Sequence, residues 1–326
     1  MPAQQADGDT AVRAPFAHTP YDGSSKPFTV GLMPLDPREW IEPDGRFAEQ
    51  MAEKDRLFAG AGEAPVFLAE PDTHAAQAEV LEMLRHHLPQ RFPDLYTPTA
   101  TGLHLAATGR DIDLDTSGAP PLKTAARLVQ EDLVLMRKGE DGYRLAAAAL
   151  CFPSSWSLAE KFGQSMTGIH ETVPGFNGTR MGMMVARIFD NLPVDRPSWR
   201  LNWSLYSGAA LHQPHAKRID AEATDPNRMD RHALTGTGAK IPLFVRVERQ
   251  TLRRLPKSGD ILFTIKVHHD PATAFARHPQ GAELAEGLRA QLEALDADQL
   301  AYKGLTGARD TIAARLRDLA KTAAGQ

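Results

Sequence analysis

Alternating apolar and polar positions predict most of the strands of this chain. From Trp199 to Tyr206 every second residue is apolar, and similar alternation recurs over 243–252 and 260–268. Since successive side chains of a strand point to opposite faces, each stretch predicts a strand with one apolar face. Two further apolar runs, 128–137 and 143–152, flank the turn sequence KGEDG and predict a β-hairpin.

Helical spacing marks other segments. Apolar residues three or four apart predict helices near 46–59 and 79–87, within 157–192 and across 282–322. His86 and His87 are expected to end the second helix, where cationic side chains complement the helix dipole. Within 179–192 the apolar stripe is expected to consist of Met183, Met184, Ile188 and Leu192.

These elements predict an α+β fold in which an antiparallel sheet lies beside the 157–192 helices. Residues 1–26 lack periodicity and are expected to form a disordered or loosely attached arm. Residues 27–271 are expected to form the main domain, with an N-terminal helical extension, and residues 272–326 to form C-terminal helices. The alanine run 146–149 indicates close approach of another element, which could be a packed helix or a flat cofactor.

Composition narrows the function classes. The chain has 326 residues, of which 42% are hydrophobic and 24% charged, as in ordinary globular proteins. The formal net charge is −4, and no run of five basic residues occurs, which argues against nucleic-acid or anionic-membrane binding.

Cys151 is the single cysteine, which excludes a disulfide framework and an all-cysteine metal or iron–sulfur site within the chain. It lies among apolar residues and is expected to be a small buried hydrophobe. No run of about eighteen apolar residues occurs and the polar N-terminus lacks a signal core, so a cytoplasmic location is expected.

Familiar catalytic motifs are missing. The glycine-containing segments 60–65 and 236–240 lack the strand and lysine framing of phosphate-binding loops, and no G-x-S-x-G elbow occurs. The histidines of the long 207–241 loop, His212, His215 and His232, have no regular ligand spacing and do not predict a zinc site.

One histidine, His170, lies in a constrained segment. Ser157 and Glu160 have the spacing of a reciprocal capping box, Gly163 can end the short helix that follows, and Pro174-Gly175 closes the segment. The chain can therefore aim the imidazole of His170. Taken alone, however, a single histidine is more often a surface or core residue than a ligand.

Five sequence blocks carry a resemblance to a known family. They are LVQEDLVLM (128–136), ALCFPSSWSLAEKFG (149–163), IHETVPGF (169–176), WRLNWSL (199–205) and RVERQTLRRLPKSGDILFTIK (246–266). In this order they resemble the heme subunit (alpha) of the heme-dependent oxidative N-demethylase family, formerly a domain of unknown function. The resemblance covers about residues 27–271. The segment GFNGTRMGMM and the 207–241 loop depart from the family pattern, which leaves the substrate open.

The resemblance implies a PAS-like antiparallel sheet holding heme b, and a monooxygenase-type demethylation of dimethylamine by dioxygen. It assigns His170 to the iron, and Arg200 with Glu248 to the substrate side of the heme. The chain lacks its own nucleotide loops and iron–sulfur cysteines, so a separate reductase subunit carrying flavin and an iron–sulfur centre is expected to supply electrons. The alternatives are a non-catalytic heme-binding sensor and a scaffold without cofactor.

The residue types suit this chemistry. A carboxylate at Glu248 could compensate a buried cationic amine and accept its proton, although the pattern alone favours an ordinary ion pair with Arg246 or Arg200. Arg200 and Arg246 could polarise oxygen or hold heme propionates, since guanidinium stays charged and binds carboxylates in a fork. Asn202 and Gln250 could orient these groups, because both lie on the same predicted strand faces as the charged residues.

Overall fold

An antiparallel sheet forms the centre of the protein in the computed structural model, which describes residues 15–215 and 242–325 except Ser25, Pro27, Glu63 and Thr116. In chain order the described strands are β1 (Met33–Pro34), β2 (Phe67–Ala69), β3 (Tyr96–Pro98), β4 (Gly102–Leu105), β5 (Arg110–Asp113), β6 (Asp132–Gly139), β7 (Gly142–Ala149), β8 (Ser198–Tyr206), β9 (Phe244–Arg254) and β10 (Ile261–Pro271). Seven of them form one sheet in the order β1-β8-β9-β10-β6-β7-β2, with every pair antiparallel. The other three form a small sheet, β3-β4-β5. The predicted α+β class is confirmed.

Helices cover both faces of the large sheet. The described α-helices are α1 (Phe47–Arg56), α2 (His74–Arg91), α3 (Pro121–Ala126), α4 (Leu158–Lys161), α5 (Met166–Ile169), α6 (Arg180–Asn191), α7 (Gly281–Glu293), α8 (Ala297–Lys303) and α9 (Arg309–Ala324). Among these described elements, none is long and apolar enough to cross a membrane.

The five predicted strands are present as β6 to β10, with shifted ends. The first begins at Asp132 rather than at 128, because the preceding residues leave α3 in a turn where the Lys54 ammonium binds the carbonyl oxygens of Val129 and Glu131. The prediction that His86 and His87 end a helix was wrong, since α2 runs from His74 to Arg91. His86 instead contacts Glu82, one turn earlier on the same helix.

Strand pairing gives the large sheet two distinct faces. The front face is the one that carries Arg200, Asn202, Glu248, Gln250 and Val267, and the back face carries the alternate residues. On the back, one apolar cluster joins β6, β7 and β10 to α1, α2 and α3, and a second joins β8 and β9 to α7, α8 and α9. On the front, a third cluster joins β6, β7 and β10 to the segment that contains α4, α5 and α6.

The alanine run of β7 serves tight packing. Ala147 and Ala149 are fully buried in the same cluster as Ala125 and Ala126 of α3. Their small side chains let α3 lie close to the strand, which favours the helix-packing explanation of this run. Cys151, as predicted, is fully buried, and burial raises the pKa of its thiol.

Two predictions about exposed segments need correction. Met183 and Met184 do not line the core, because they are 68% and 44% exposed, whereas Val185, Phe189 and Leu192 of the same region face the front cluster. Leu192 is therefore the member of the predicted stripe that lies in the front cluster, where Val185 and Phe189 accompany it in place of the methionines.

The described part of the segment predicted to be a loose arm is attached to the fold. Phe16 stacks on Phe275 with ring centroids 4.1 Å apart, and Tyr21 is fully buried. A Cβ at Gly287 would lie 2.3 Å from the Tyr21 carbonyl oxygen, so this glycine permits close approach of the segment to α7. Residues 1–14 lie outside the described residues.

Candidate functional site

His170 lies at the C-terminal end of α5, aimed by the turns before it. The predicted capping box is present, with Ser157 accepting from the Glu160 amide and Glu160 accepting from the Ser157 amide. Gly163 then adopts a φ of 76°, and Ser165 caps α5 by accepting from the Gly168 amide. These local contacts fix the backbone on both sides of a four-residue helix that could not hold its shape alone.

The imidazole of His170 has one nitrogen occupied. Its Nδ1 lies 2.8 Å from the Met166 carbonyl oxygen, and the ring stacks on Phe176 with centroids 4.1 Å apart. A carbonyl can only accept, so Nδ1 carries the proton and Nε2 keeps a lone pair. A backbone carbonyl partner of this kind commonly orients metal-binding histidines.

Electrostatics keep His170 neutral. Burial lowers its pKa below the usual 6.5; the hydrogen bond to Met166 opposes this shift, and the positive charges of Lys161 and Arg200 add to it. A neutral imidazole is the form that binds a metal. The same effect shows that Arg200, on β8, lies near His170.

Glu248 lies at the centre of the polar half of the front face. It is 7% exposed, and both of its carboxylate oxygens have partners on the same strand. Arg246 Nε lies 3.4 Å from one oxygen, and Gln250 Nε2 donates to the other over 3.0 Å. The alternation Arg246, Glu248, Gln250 that the sequence predicted thus forms a contiguous row, and the ion pair with Arg246 is present.

Arg200 lies opposite Gln250 in the β8–β9 register and donates to the Thr29 carbonyl oxygen over 3.2 Å. Its Nε is buried without a hydrogen-bond partner among the described residues. Burial lowers the pKa of this guanidinium, and the negative charge of Glu248 opposes the shift. A buried, charged donor without an acceptor is costly, so this position suits an anionic or oxygen-containing ligand.

Arg246 is held by the protein itself. The side chain is fully buried, and it donates to the carbonyl oxygens of Leu211 (3.1 Å) and Phe152 (2.5 Å) as well as to Glu248. At least three of its five N–H groups are therefore used within the fold. This arrangement makes Arg246 a support for Glu248 and for the ends of two neighbouring segments.

Asn202 lies directly opposite Glu248 across the β8–β9 pair. Directly opposed side chains on one face are neighbours, so Asn202 and Glu248 face the same space. The structure thus brings Arg200, Asn202, Glu248 and Gln250 together on one face, with His170 near its Arg200 end.

Two tyrosines of this region were not foreseen. Tyr206 continues the alternation of β8, and its hydroxyl contacts the hydroxyls of Ser154 (2.6 Å) and Ser155 (2.9 Å). Tyr302 comes from α8; burial, and after it the negative charge of Glu248, raises its pKa to about 12. Period-two spacing could have revealed Tyr206, whereas no local signal connects Tyr302 to this strand pair.

Of the three loop histidines, His212 makes a contact to the backbone, and the other two lie at or beyond the end of the described residues that precede the gap. His212 Nδ1 donates to the Cys151 carbonyl oxygen over 2.8 Å, which ties the start of the loop to the front-face segment. His215 is the last described residue before the gap, and His232 lies outside the described residues.

The residues present fit a heme. A neutral histidine offers Nε2, Arg200 offers a buried charged donor, and apolar side chains around the front cluster are only partly buried, as a flat apolar ligand requires. The partly buried side chains on this side include Trp156, Phe162, Met166, Ile169, Val185 and Phe263.

Comparison with protein-family models gives a match that covers most of the chain. The matching model is described as "Haem-dependent oxidative N-demethylase, alpha subunit-like", and it covers residues 31–313. The matched range includes His170, Arg200 and Glu248, together with all ten described strands.

Proposed function

The chain belongs to the heme-dependent oxidative N-demethylase, alpha subunit-like family, and from this we propose that it removes a methyl group from a small secondary amine. Dimethylamine is the proposed substrate, and methylamine and formaldehyde are the products. The proposed cofactor is heme b, held by a PAS-like sheet, and the reaction is of the monooxygenase type. One dioxygen and two electrons with two protons are consumed for each amine, and one water is released.

The observation that carries this proposal is the buried carboxylate of Glu248 on the same face as Arg200. A dialkylamine is protonated near neutral pH, and a desolvated ammonium needs an opposite charge. Glu248 supplies that charge, while Arg246 and Gln250 fix its two oxygens. Each carboxylate oxygen still has a lone pair for the substrate N–H.

Heme supplies the activation of dioxygen and the oxidation of the N-methyl group. In this proposal His170 holds it through Nε2, with Nδ1 fixed by Met166. Arg200, whose buried Nε has no hydrogen-bond partner among the described residues, would donate to the reacting oxygen or to a heme propionate.

Glu248 accepts the ammonium proton before the amine reacts, because nitrogen chemistry needs the free lone pair. Asn202, opposite Glu248, orients the substrate amine. Gln250 keeps the carboxylate in place through its amide. Arg246 is assigned a supporting role rather than a contact to the cofactor, since its donors bind protein oxygens.

Electrons must come from a partner, because the chain has one buried cysteine and no dinucleotide-binding loop. We assign this role to a separate reductase carrying flavin and an iron–sulfur centre. The isolated chain is then expected to form no formaldehyde from amine, NADPH and dioxygen, and turnover by the chain alone would contradict this assignment.

The test of the function compares Glu248→Gln with His170→Ala in heme-loaded protein. Glu248→Gln keeps the side-chain shape but removes charge and basicity, so the heme spectrum should persist while amine-dependent formaldehyde formation falls about 10²–10⁴-fold. His170→Ala should alter the heme spectrum even without amine. Glu286→Gln, an exposed carboxylate paired with Arg289, serves as control.

Other outcomes identify the alternatives. If Glu248 is only a structural partner of Arg246, Glu248→Gln should lower stability by about 3–5 kcal/mol and leave the amine-induced spectral shift intact. A normal heme spectrum with no amine-induced shift in the wild type would favour a heme-binding sensor. Absence of a Soret band after reconstitution with heme would refute both heme functions.

A further inference from the structure

Three potential metal ligands meet on the back face, on the opposite side of the sheet from the candidate heme site. His18 Nε2 lies 2.9 and 3.0 Å from the two carboxylate oxygens of Glu42. His268 Nε2 lies 3.8 Å from one of these oxygens, and the three ligand atoms lie within 4.8 Å of one another. Among the described residues this is the only such group of three or more.

The three residues come from separate parts of the chain. His18 belongs to the N-terminal segment that packs on Phe275, Glu42 lies between β1 and α1, and His268 points back from β10. The rings of His18 and His268 lie 4.9 Å apart between centroids. Since no local sequence pattern relates them, their convergence is a property of the tertiary fold.

One side of this group of three residues is buried, and the other side is open to solvent. The side chain of His268 is 1% exposed, whereas those of His18 and Glu42 are 19% and 29% exposed. An ion could therefore reach the group from the His18 side, as a metal site requires.

Charged side chains surround the group. The carboxylates are Glu42, Asp44 and Glu131, and the cations that face them include Arg46, Arg249 and Lys266. Arg249 Nε lies 3.2 Å from Glu42, and Lys266 Nζ lies 3.2 Å from Asp44. Glu42 is the carboxylate of this network that both imidazoles face.

We propose that His18, Glu42 and His268 bind a divalent transition-metal ion, with Zn²⁺ as the best match. Two imidazoles and one carboxylate are a recognised zinc donor set that leaves a fourth position for water. The ion takes the place of the hydrogen bond between His18 Nε2 and Glu42, and the ring proton of His18 moves to Nδ1. Asp44 lies 4.0 Å from Nδ1 of His268, which is too far for a hydrogen bond but adds a second negative charge beside the site.

The ion would fasten the N-terminal segment to the sheet. His18 is the one ligand from residues 15–24, while Glu42 and His268 are already fixed by the main fold. Metal binding to the folded state alone would therefore raise the thermal midpoint.

The test uses the full-length protein incubated with ZnCl₂ and passed through a desalting column. Zinc is then counted per chain by elemental analysis, which distinguishes it from heme iron. Wild type should retain about one zinc with two imidazole nitrogens at about 2.0–2.1 Å in zinc-edge X-ray absorption. EDTA should remove the ion and lower the thermal midpoint.

Two variants and a matched control decide the assignment. His18→Ala should weaken zinc binding by about 10–100-fold or more and lose one imidazole from the absorption spectrum. Glu42→Gln, which removes the charge, should also weaken binding. His104→Ala is the control, since His104 pairs with Asp111 at 2.6 Å without a third ligand.

The competing explanation is an ion-pair network that holds no metal. If wild type retains no zinc, or if His18→Ala retains it with unchanged affinity and imidazole count, the proposal is overturned. Because His18 is partly exposed, His18→Ala should fold, and its far-ultraviolet circular dichroism checks this. An unfolded His18→Ala would move the decision to the X-ray absorption of the wild-type protein.

Discussion

The two faces of the β8–β9 pair differ, although alternate residues of the same two strands form both. On the back, Trp203, Leu205, Val245 and Val247 are 1–5% exposed beneath α7, which buries six of its own residues. On the front, Arg200, Asn202 and Ser204 are only half-buried. The helix α5, farther along the front of the sheet beside β7, buries none of its four residues, all of which are described.

This difference separates stability from function. Apolar side chains sealed by helices stabilise the sheet from behind by removing area from water. At this strand pair the front keeps a buried polar group, the Nε of Arg200, that has no hydrogen-bond partner among the described residues. A rigid back can therefore support a front that gains its remaining contacts only from a ligand.

At the β8–β9 pair the largest expected effect is on the back face. Trp203→Ala removes a buried ring that donates to Gln291 over 2.7 Å and lies under the Lys303 ammonium. We expect a loss of about 3–5 kcal/mol in the free energy of unfolding, measured by urea denaturation. The adjacent front-face change, Asn202→Ala, should stay within about 0.5 kcal/mol.

If both variants lost the same free energy of unfolding, the proposed difference between the two faces would be wrong. The front of the β8–β9 pair would then contribute as much to stability as the back. Amine-dependent activity gives the reverse ranking. At temperatures where both variants are folded, Asn202→Ala should be the more impaired enzyme if Asn202 orients the substrate.

The next effect concerns acid and a histidine in the back layer. Burial lowers the pKa of His87 to about 4, and the charges of Arg253 and Arg91 add to the shift. Above about pH 6.5 the ring is neutral in both the folded and the unfolded states, so its contribution to stability is complete. As the pH falls below that value the unfolded chain binds a proton that the folded protein resists, and stability is lost until the pH reaches about 4.

Because His87 is only partly buried, we expect it to account for roughly 1–2 kcal/mol of the stability lost between pH 7 and 4.5. His87→Gln should show a correspondingly shallower loss in urea denaturation at the two pH values. His86→Gln changes the adjacent, exposed histidine and should keep the wild-type slope. If His87→Gln left the pH dependence of the free energy of unfolding unchanged, the folded protein would accept a proton at this ring as readily as the unfolded chain does.

Sequence patterns predicted the part of the fold that depends on period-two alternation. Residues 199–206 and 243–252 alternate, and both strands appear with the predicted faces. Short strands such as β2 and β3 were missed because three residues carry no measurable period. The attachment of Phe16 was missed because its partner, Phe275, lies far along the chain.

The candidate site likewise has one part that alternation predicts and one part that it does not. The row Arg246, Glu248, Gln250 follows from alternation on one strand, and its contacts agree with that prediction. The Thr29 carbonyl accepts from Arg200 although the two residues are 171 positions apart, so only the tertiary fold brings them together. The roles of these residues in chemistry stay predictions until the variants are measured.

The smallest expected effect sharpens the comparison within a single helix of the front side. On α6, Met183 is 68% exposed, whereas Phe189 is 6% exposed and packs edge-on against Tyr143 with centroids 5.3 Å apart. Met183→Gln should therefore change the free energy of unfolding by no more than about 0.5 kcal/mol. Phe189→Ala, the matched change on the inner side, should cost about 3–5 kcal/mol. Urea denaturation of both variants measures this contrast, and a loss above about 1 kcal/mol for Met183→Gln would show that another part of the protein covers this side chain in solution.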